Sequence, residues 1–541
     1  MTDTAHVDSF VRDHLPPPEQ WPEFLFPLPE LQYPARLNCG VELLDRMVAA
    51  GQGERPCLRA PGLVWSYAET LSRANRIARL LTEEMGVVPG NRVLLHAPNT
   101  PWLAACWLAV MKAGAVAVTT MPLLRAGELE KVVRKAEIRH ALCDARLAPE
   151  LEKCRQRVPE LANVVLFGTE AADGLEARIA GRSDDFSNCP TAATDPALLA
   201  FTSGTTGVPK ACVHFHRDVL AMCDSFSKHI VQPRPDDLFS GSPPLGFTFG
   251  LGGLLCFPLR VGASTLLLEQ GSPPRLAEAI ERFRVTCLFT APTAYRAMLG
   301  LVGAQDFGSL RRCVSAGEAL PKPTWEAFHR ATGIRLIDGI GATEMIHIFI
   351  SAADEEIRPG ATGKPVPGYV ATVLDENFEE CPPGVPGRLA VKGPTGCRYL
   401  ADPRQSEYVQ RGWNITGDTY VRDEDGYFFH RARSDDMIIS AGYNIAGPEV
   451  EVALLTHPAV AECGVVGVPD PERGQIVKAF VVLAAGHRPG AELVKELQEH
   501  VKATIAPYKY PRAISFVPEL PRTATGKLQR YRLRELAREE A

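Results

Sequence analysis

The run Leu198-Leu-Ala-Phe-Thr-Ser-Gly-Thr-Thr-Gly-Val-Pro-Lys210 joins an apolar, β-like stretch to a loop of small hydroxylated and glycine residues that ends in a lysine. Such a loop suits phosphate. Without large side chains its backbone N–H groups can approach phosphate oxygens, the hydroxyls of Thr202, Ser203, Thr205 and Thr206 add donors, Gly204 and Gly207 keep the main chain close, and Lys210 supplies a point charge. The bland alternative is a surface turn. A Walker A loop needs a Ser or Thr directly after its Gly-Lys, whereas here Pro209 precedes Lys210 and Ala211 follows it, so a P-loop NTPase is disfavoured.

Outward from this loop, between about residues 60 and 300, β-rich runs such as Arg92-Val-Leu-Leu-His and Ala263-Ser-Thr-Leu-Leu-Leu alternate with helical stretches such as 68–85 and 277–283. Alternation of this kind predicts layered parallel α/β structure. From 360 to 430 the chain becomes a series of short segments punctuated by Gly and Pro, as in Cys381-Pro-Pro-Gly-Val-Pro-Gly, which predicts a smaller antiparallel β-rich subdomain. After Arg433-Ser-Asp-Asp the order helix 449–455, strand 462–468, strand 476–484, helix 491–503 predicts a separate α+β domain of ordinary size. Residues 14–34 hold seven prolines among aromatic and acidic residues and read as an extended arm rather than an element. The expected organisation is an arm over 1–35, a large α/β domain over 36–434 with its β-rich subdomain at 360–430, and a small mobile α+β domain over 435–541.

Composition narrows the function. At 541 residues, 45% hydrophobic and 23% charged, the chain is long enough for several buried cores and reads as an ordinary globular protein. A net charge of −6 gives no basic field for nucleic acid. The stretch 102–121 is interrupted by Lys112 and Gly114 and is too short for a membrane span, so it reads as a buried helix followed by a strand. The N-terminus lacks the basic and apolar regions of a secretory signal, and fourteen cysteines scattered without a CxxC pair read as reduced core thiols, so a cytoplasmic location is expected. The reading allows a homodimer.

Three further segments follow in order: Asp338-Gly-Ile-Gly-Ala-Thr-Glu344, Gly412-Trp-Asn-Ile-Thr-Gly-Asp418 with Arg431-Ala-Arg433-Ser-Asp435, and Pro521-Arg-Thr-Ala-Thr-Gly-Lys527-Leu-Gln-Arg. Taken singly, Asp418 reads equally as a turn residue, Glu344 as a solvated acid and Lys527 as a surface lysine. Together with the phosphate loop they resemble the adenylate-forming superfamily of acyl-CoA synthetases, adenylation domains and luciferases. The resemblance covers nearly the whole chain after the Pro-rich arm; one departure is Ala432, where a glycine is usual.

The resemblance implies ATP, Mg2+ and coenzyme A as the small molecules bound. It implies that the main chain at Asp338, Gly339 and Ile340 flanks adenine, that Gly317 and Glu318 also belong to the cofactor-binding set, that Thr343 contacts phosphate, and that Glu344 holds the metal, for which oxygen ligands are suited. Asp418 would accept from the ribose hydroxyls, Arg433 would supply a basic group, and Lys527 would be the catalytic lysine. Asp435 takes the hinge position about which the C-terminal domain rotates between two half reactions, a motion that withdraws Lys527 and brings Gly442, Tyr443 and Asn444 to the pantetheine arm. Gly442 reads equally as a turn glycine.

The chemistry is coherent. A carboxylate is a poor acylating agent until attack on the α-phosphate of ATP makes it an acyl-AMP, and pyrophosphate then departs. Positioned cations are what a protein adds to such a transition state. Pocket residues are expected at Phe247, Thr248 and Phe249, at Ala291, at Gly341 and at His347. These segments resemble the benzoate-CoA ligase branch and particularly its 2-aminobenzoate-CoA ligase members, and two phenylalanines beside a small threonine make a flat slot for an aryl ring. His347 reads either as a partner for a ring substituent or as a core histidine bonded to a carbonyl, and Thr248 either as an acceptor for an ortho amino group or as a hydroxyl bonded to its own backbone. Two other functions remain open on sequence: loading of a carrier-protein phosphopantetheine, and a non-catalytic nucleotide sensor that keeps the fold.

Overall fold

The computed structural model describes residues 4–202, 209–433, 436–440, 443–470, 473–505, 507–523 and 528–540, with only the backbone described at 433, 443 and 444. The expected loop residues Ser203, Gly204, Thr205, Thr206 and Gly207, the hinge Asp435, Gly442 and Lys527 lie outside them.

The predicted α/β layering forms two large sheets among the described residues. One has six strands in the order Asn163–Phe167, His140–Asp144, Arg92–His96, Val116–Thr120, Pro196–Thr202, Lys210–Phe215. All neighbours are parallel except the last pair. The other has nine, with a parallel centre running through Arg312–Ser315, Cys287–Thr290, Leu238–Gly241 and Ser264–Leu266 and with antiparallel partners at its rims.

Local signals explain the helices that cover these sheets. Tyr67–Arg79 starts on a capping box in which the Ser66 hydroxyl accepts from the Glu69 N–H and the Glu69 carboxylate accepts from the Ser66 N–H. Pro101–Lys112 starts at the Thr100 cap with proline in its first turn, and is apolar almost all round because it is buried on every side. It turns into strand Val116–Thr120, so the 102–121 stretch is a helix and a strand inside the core. Among the described residues no helix is long and apolar enough to cross a membrane.

The Gly/Pro-rich stretch forms an antiparallel sheet of Val370–Leu374, Gly387–Lys392, Trp413–Arg422, Val409–Gln410 and Phe428–Arg433. The smaller C-terminal α+β unit pairs Val460–Asp470 with Gly474–Leu483 and packs helices Gly447–Leu455 and Ala491–Thr504 against that sheet.

The N-terminal arm departs from simple extension. It contains helix Phe10–Asp13 and single helical turns at Pro18–Gln20 and Pro29–Leu31, because proline at the first position of a turn pre-sets φ and loses no needed donor. It is also tied down along its length: the Trp21 ring packs on Phe215, Lys392 pairs with Glu23, Lys228 with Glu30, and the Tyr33 hydroxyl donates to Asp224.

Candidate active site

The phosphate-loop hairpin sets the first element. Its strands pair antiparallel with Thr202 opposite Lys210, so the ends of the 203–208 loop are held side by side. The Lys210 ammonium donates to the Tyr399 hydroxyl at 2.7 Å, lies 4.7 Å from the centre of that ring, and stands 3.4 Å from Glu344 Oε1. The Tyr399 hydroxyl donates in turn to the same Glu344 oxygen. Burial, and then the Glu344 charge, push the Tyr399 phenol far above its ordinary range, so it stays a donor. Lys210 and Glu344, 134 residues apart, thus share one buried tyrosine.

Glu344 reaches this position through an unusual backbone. The segment Leu336–Gly341 runs into a single turn Thr343–Met345, and Ile346 then takes φ 64°. A buried β-branched residue in that region is strained, and strain of this kind persists only where surrounding packing imposes it. The bend sends Glu344 to the polar side and His347 to the apolar side. Gly341 is needed there because a Cβ would come within 2.8 Å of the His347 carbonyl oxygen, and Gly339 because a Cβ would meet Ile348.

Thr343 is supported from below. Its carbonyl accepts from His214 Nε2 at 2.7 Å. His214 Nδ1 lies 3.8 Å from Asp218, and Asp218 pairs with Arg398, all three fully buried. Burial works to raise the Asp218 carboxyl, and the Arg398 guanidinium, His214 and Arg217 together more than offset it, holding the group below its usual range. Arg398 itself is stacked 3.9 Å from the Phe215 ring centre and 4.7 Å from that of Phe24 of the N-terminal arm.

The nucleotide-side candidates come from two sheets. Ser315 and Asp338 are partners in adjacent parallel strands, with Gly317 (φ 94°) and Glu318 directly after the first. Asp338 Oδ1 is buried without a hydrogen bond among the described residues, and burial pushes its carboxyl up to about 8. The adjoining hollow is lined by Leu336, Trp325, Leu320, Ile357 and Ala361. Asp418 and Arg433 are directly opposed in the antiparallel sheet.

Of the expected pocket residues, Phe249, His347 and Gly341 lie together, and Ala291 directly follows the strand that carries Phe289. The His347 ring centre is 5.7 Å from Phe249, 4.7 Å from Phe257 and 5.3 Å from Phe226, and Phe249 is 5.6 Å from Phe289, on the strand that leads to Ala291. His347 Nε2 lies 3.4 Å from the Phe249 carbonyl, Nδ1 is buried without a partner among the described residues, and burial lowers the imidazole to about 3, so the ring is neutral. Phe247 and Thr248 instead line an apolar hollow with Trp107, Leu198, Ala200 and Leu251, behind the phosphate-loop strand. Tyr443 and Asn444 stand in strand Tyr443–Ala446 of the C-terminal unit, opposite Ser440 and Ile439.

Tyr399 and the His214–Asp218–Arg398 chain are missing from the sequence reading. Only the Gly-Cys-Arg398-Tyr399 context, close before the Gly412–Asp418 segment, hinted at them.

Comparison with known proteins identifies the family. The family described as "AMP-binding enzyme" matches residues 46–399, and "AMP-binding enzyme C-terminal domain" matches 449–527. Benzoate–CoA ligase of Thauera aromatica is 35% identical over 512 residues, covering 94% of this chain and 97% of its own. The 3-hydroxybenzoate–CoA ligase of Aromatoleum sp. (strain CIB) is 33% identical, covering 92% and 97%. The crystal structure of the anthranilate CoA ligase AuaEII in complex with anthranoyl-AMP superposes with a TM-score of 0.90 at 34% identity, covering 94% of this chain and 99% of that one. With the family profile spanning most of the chain and these relatives matching nearly end to end, the chain belongs to the AMP-binding enzymes, as an AMP-forming acid–thiol ligase of the benzoate-CoA ligase branch.

Proposed function

We propose that this ligase activates an aromatic carboxylate, 2-aminobenzoate or benzoate, as the acyl-AMP with release of pyrophosphate, and then passes the acyl group to coenzyme A with release of AMP. The observation that carries the aryl preference is the cluster of Phe249, Phe257, Phe226 and Phe289 around a neutral His347, one bend away from Glu344. Rings at these separations touch one another, so the cluster would form an apolar aromatic wall of the acid site rather than its interior, a surface that favours a flat ring. Similarity to ligases named for benzoate, 3-hydroxybenzoate and anthranilate supports the same reading.

In this account the acid lies with its ring toward Phe249 and His347 and its carboxylate toward Thr343 and Lys210. Lys210 and the loop amides hold phosphate oxygens, Asp418 accepts from the ribose, Asp338 to Ile340 lie along adenine, and Lys527 neutralises charge at the α-phosphate during adenylation. The donor set fits Mg2+. Glu344 Oε1 is taken by Tyr399 and Lys210, while Oε2, a hard carboxylate oxygen, makes no hydrogen bond among the described residues. When bound there, Mg2+ supplies positive charge to phosphate oxygens.

Two substitutions test the parts. His347→Ala is expected to change the ratio of kcat/KM for 2-aminobenzoate over benzoate by roughly 5- to over 100-fold, the worth of a buried hydrogen bond to substrate. An unchanged ratio assigns His347 to the core alone. Tyr399→Phe keeps the ring beneath Lys210 and removes the donor to Glu344. It is expected to lower ATP–pyrophosphate exchange about tenfold and to raise the Mg2+ concentration needed for half-maximal rate, at a cost of roughly 1 kcal/mol in stability. An unaltered Mg2+ dependence would separate Tyr399 from the metal carboxylate.

A further inference from the structure

The residues on either side of 524–527 are paired. Arg522 and Leu528 form an antiparallel bridge, and the Gln529 N–H donates to the Pro521 carbonyl at 2.9 Å, which makes a stem of these flanking residues. That stem is gripped by the large domain. Glu318 Oε1 accepts from Arg522 Nη1 at 3.1 Å and from the backbone N–H of Leu528 at 3.2 Å, and Lys527 is bonded directly to Leu528. The other arm of the guanidinium, Nη2, donates to Glu462 at 2.7 Å. Glu318 sits just after strand Arg312–Ser315, beside the Asp338 edge of the nucleotide cleft, whereas Glu462 belongs to the small domain's own strand Val460–Asp470.

We propose that Glu318 and Arg522 form a latch that holds the small domain in the adenylating orientation. Arg522 acts as a positioning residue for Lys527. The inference rests on the reading that Lys527 serves adenylation.

The charges suit a reversible clasp. Arg522 and Glu318 are 26% and 19% exposed, so the pair is partly screened and opens without stranding a buried charge. When the small domain swings away, Arg522 keeps Glu462, which travels with it, and the Glu318–Arg522 pair opens. Arg522 and the Leu528 N–H both belong to the loop stem, so Glu318 is bonded to that stem at two points. A second contact, Arg296 Nη2 donating to the Val460 carbonyl at 3.2 Å, crosses between the domains at the start of the strand that carries Glu462.

The test separates the half reactions in the full-length enzyme, with benzoate and ATP for pyrophosphate exchange, and with presynthesised benzoyl-adenylate and CoA for thioester formation. Arg522→Ala is expected to lower exchange about 5- to 30-fold, through kcat rather than the KM for ATP, because it shifts domain populations without touching substrate. Thioester formation from benzoyl-adenylate should stay within about twofold of the unsubstituted enzyme. Arg522→Lys, which keeps the charge and loses the fork, is expected to fall between the two. If Glu318 works through Arg522, the double variant Glu318→Ala/Arg522→Ala should exchange no more slowly than Glu318→Ala alone.

Unchanged exchange in Arg522→Ala overturns the latch, as does equal loss of both half reactions. Lys527→Ala run in parallel tells this failure from that of the underlying reading. If Lys527→Ala abolishes exchange and Arg522→Ala leaves it intact, the latch alone is wrong; if Lys527→Ala also leaves it intact, the assignment of Lys527 fails.

Discussion

Lys527→Ala is expected to collapse acyl-AMP formation from ATP while leaving the protein folded. The lysine follows a polar Thr-Gly pair, so its replacement removes a charge and no apolar core residue and should leave the domain folded. Its charge is required where the α-phosphate gathers negative charge, and removal of one preorganised stabilising donor commonly costs about 10²- to 10³-fold in kcat. A full cation should cost at least that. Supplied with presynthesised aryl-adenylate and CoA, the variant should still form thioester near the original rate, because on the proposed mechanism Lys527 serves adenylation alone. Exchange surviving above about a tenth of the original rate, more than 1 kcal/mol away from this expectation, would contradict the assignment.

Asp435→Pro is expected to split the two half reactions in the opposite sense. Proline fixes φ near −65° and removes a backbone donor, so a hinge locked this way cannot sample both domain orientations. The Glu318–Arg522 clasp favours the adenylating one, so exchange should persist while thioester formation from aryl-adenylate falls by about 10²-fold or more. Equal loss of both would place the hinge elsewhere or indicate misfolding, and a thermal unfolding midpoint separates those two outcomes.

How far the sequence is legible follows from how each feature is encoded. The candidate phosphate loop, the Asp338–Glu344 segment and the segment around Lys527 are each contiguous, because phosphate contact calls for small residues and hydroxyls side by side, so each stands out in the sequence as a candidate. The parallel α/β alternation is likewise visible in runs such as Arg92–His96 and Ser264–Leu266. Sheet order is not, since nothing local tells that Ser264–Leu266 pairs with Pro56–Ala60 across some 200 residues. The same holds for the supporting chemistry. Tyr399 meets Glu344 over 55 residues, His214 meets Thr343 over 129, and Arg522 meets Glu318 over 204. Such partners have no periodicity or spacing, only a shared place in the fold. Ile346 is a further case: a β-branched residue argues locally against positive φ, and packing around Met345 and Ile348 overrides it. Phe249 and His347 lie together while Phe247 and Thr248 line a neighbouring hollow, a division that adjacency in sequence does not reveal.

The central claim is that an aromatic acid is adenylated and then joined to CoA. It is tested most directly by incubating the purified enzyme with ATP, Mg2+, CoA and a panel of acids (benzoate, 2-aminobenzoate, 3-hydroxybenzoate, butyrate and hexanoate) and measuring AMP and thioester together. The account predicts one AMP released per thioester formed, with kcat/KM for benzoate or 2-aminobenzoate exceeding that for butyrate by about 10²-fold or more, since an aryl ring fills a slot that a short chain leaves partly empty. A preference for butyrate or hexanoate, or AMP release without thioester, would contradict it.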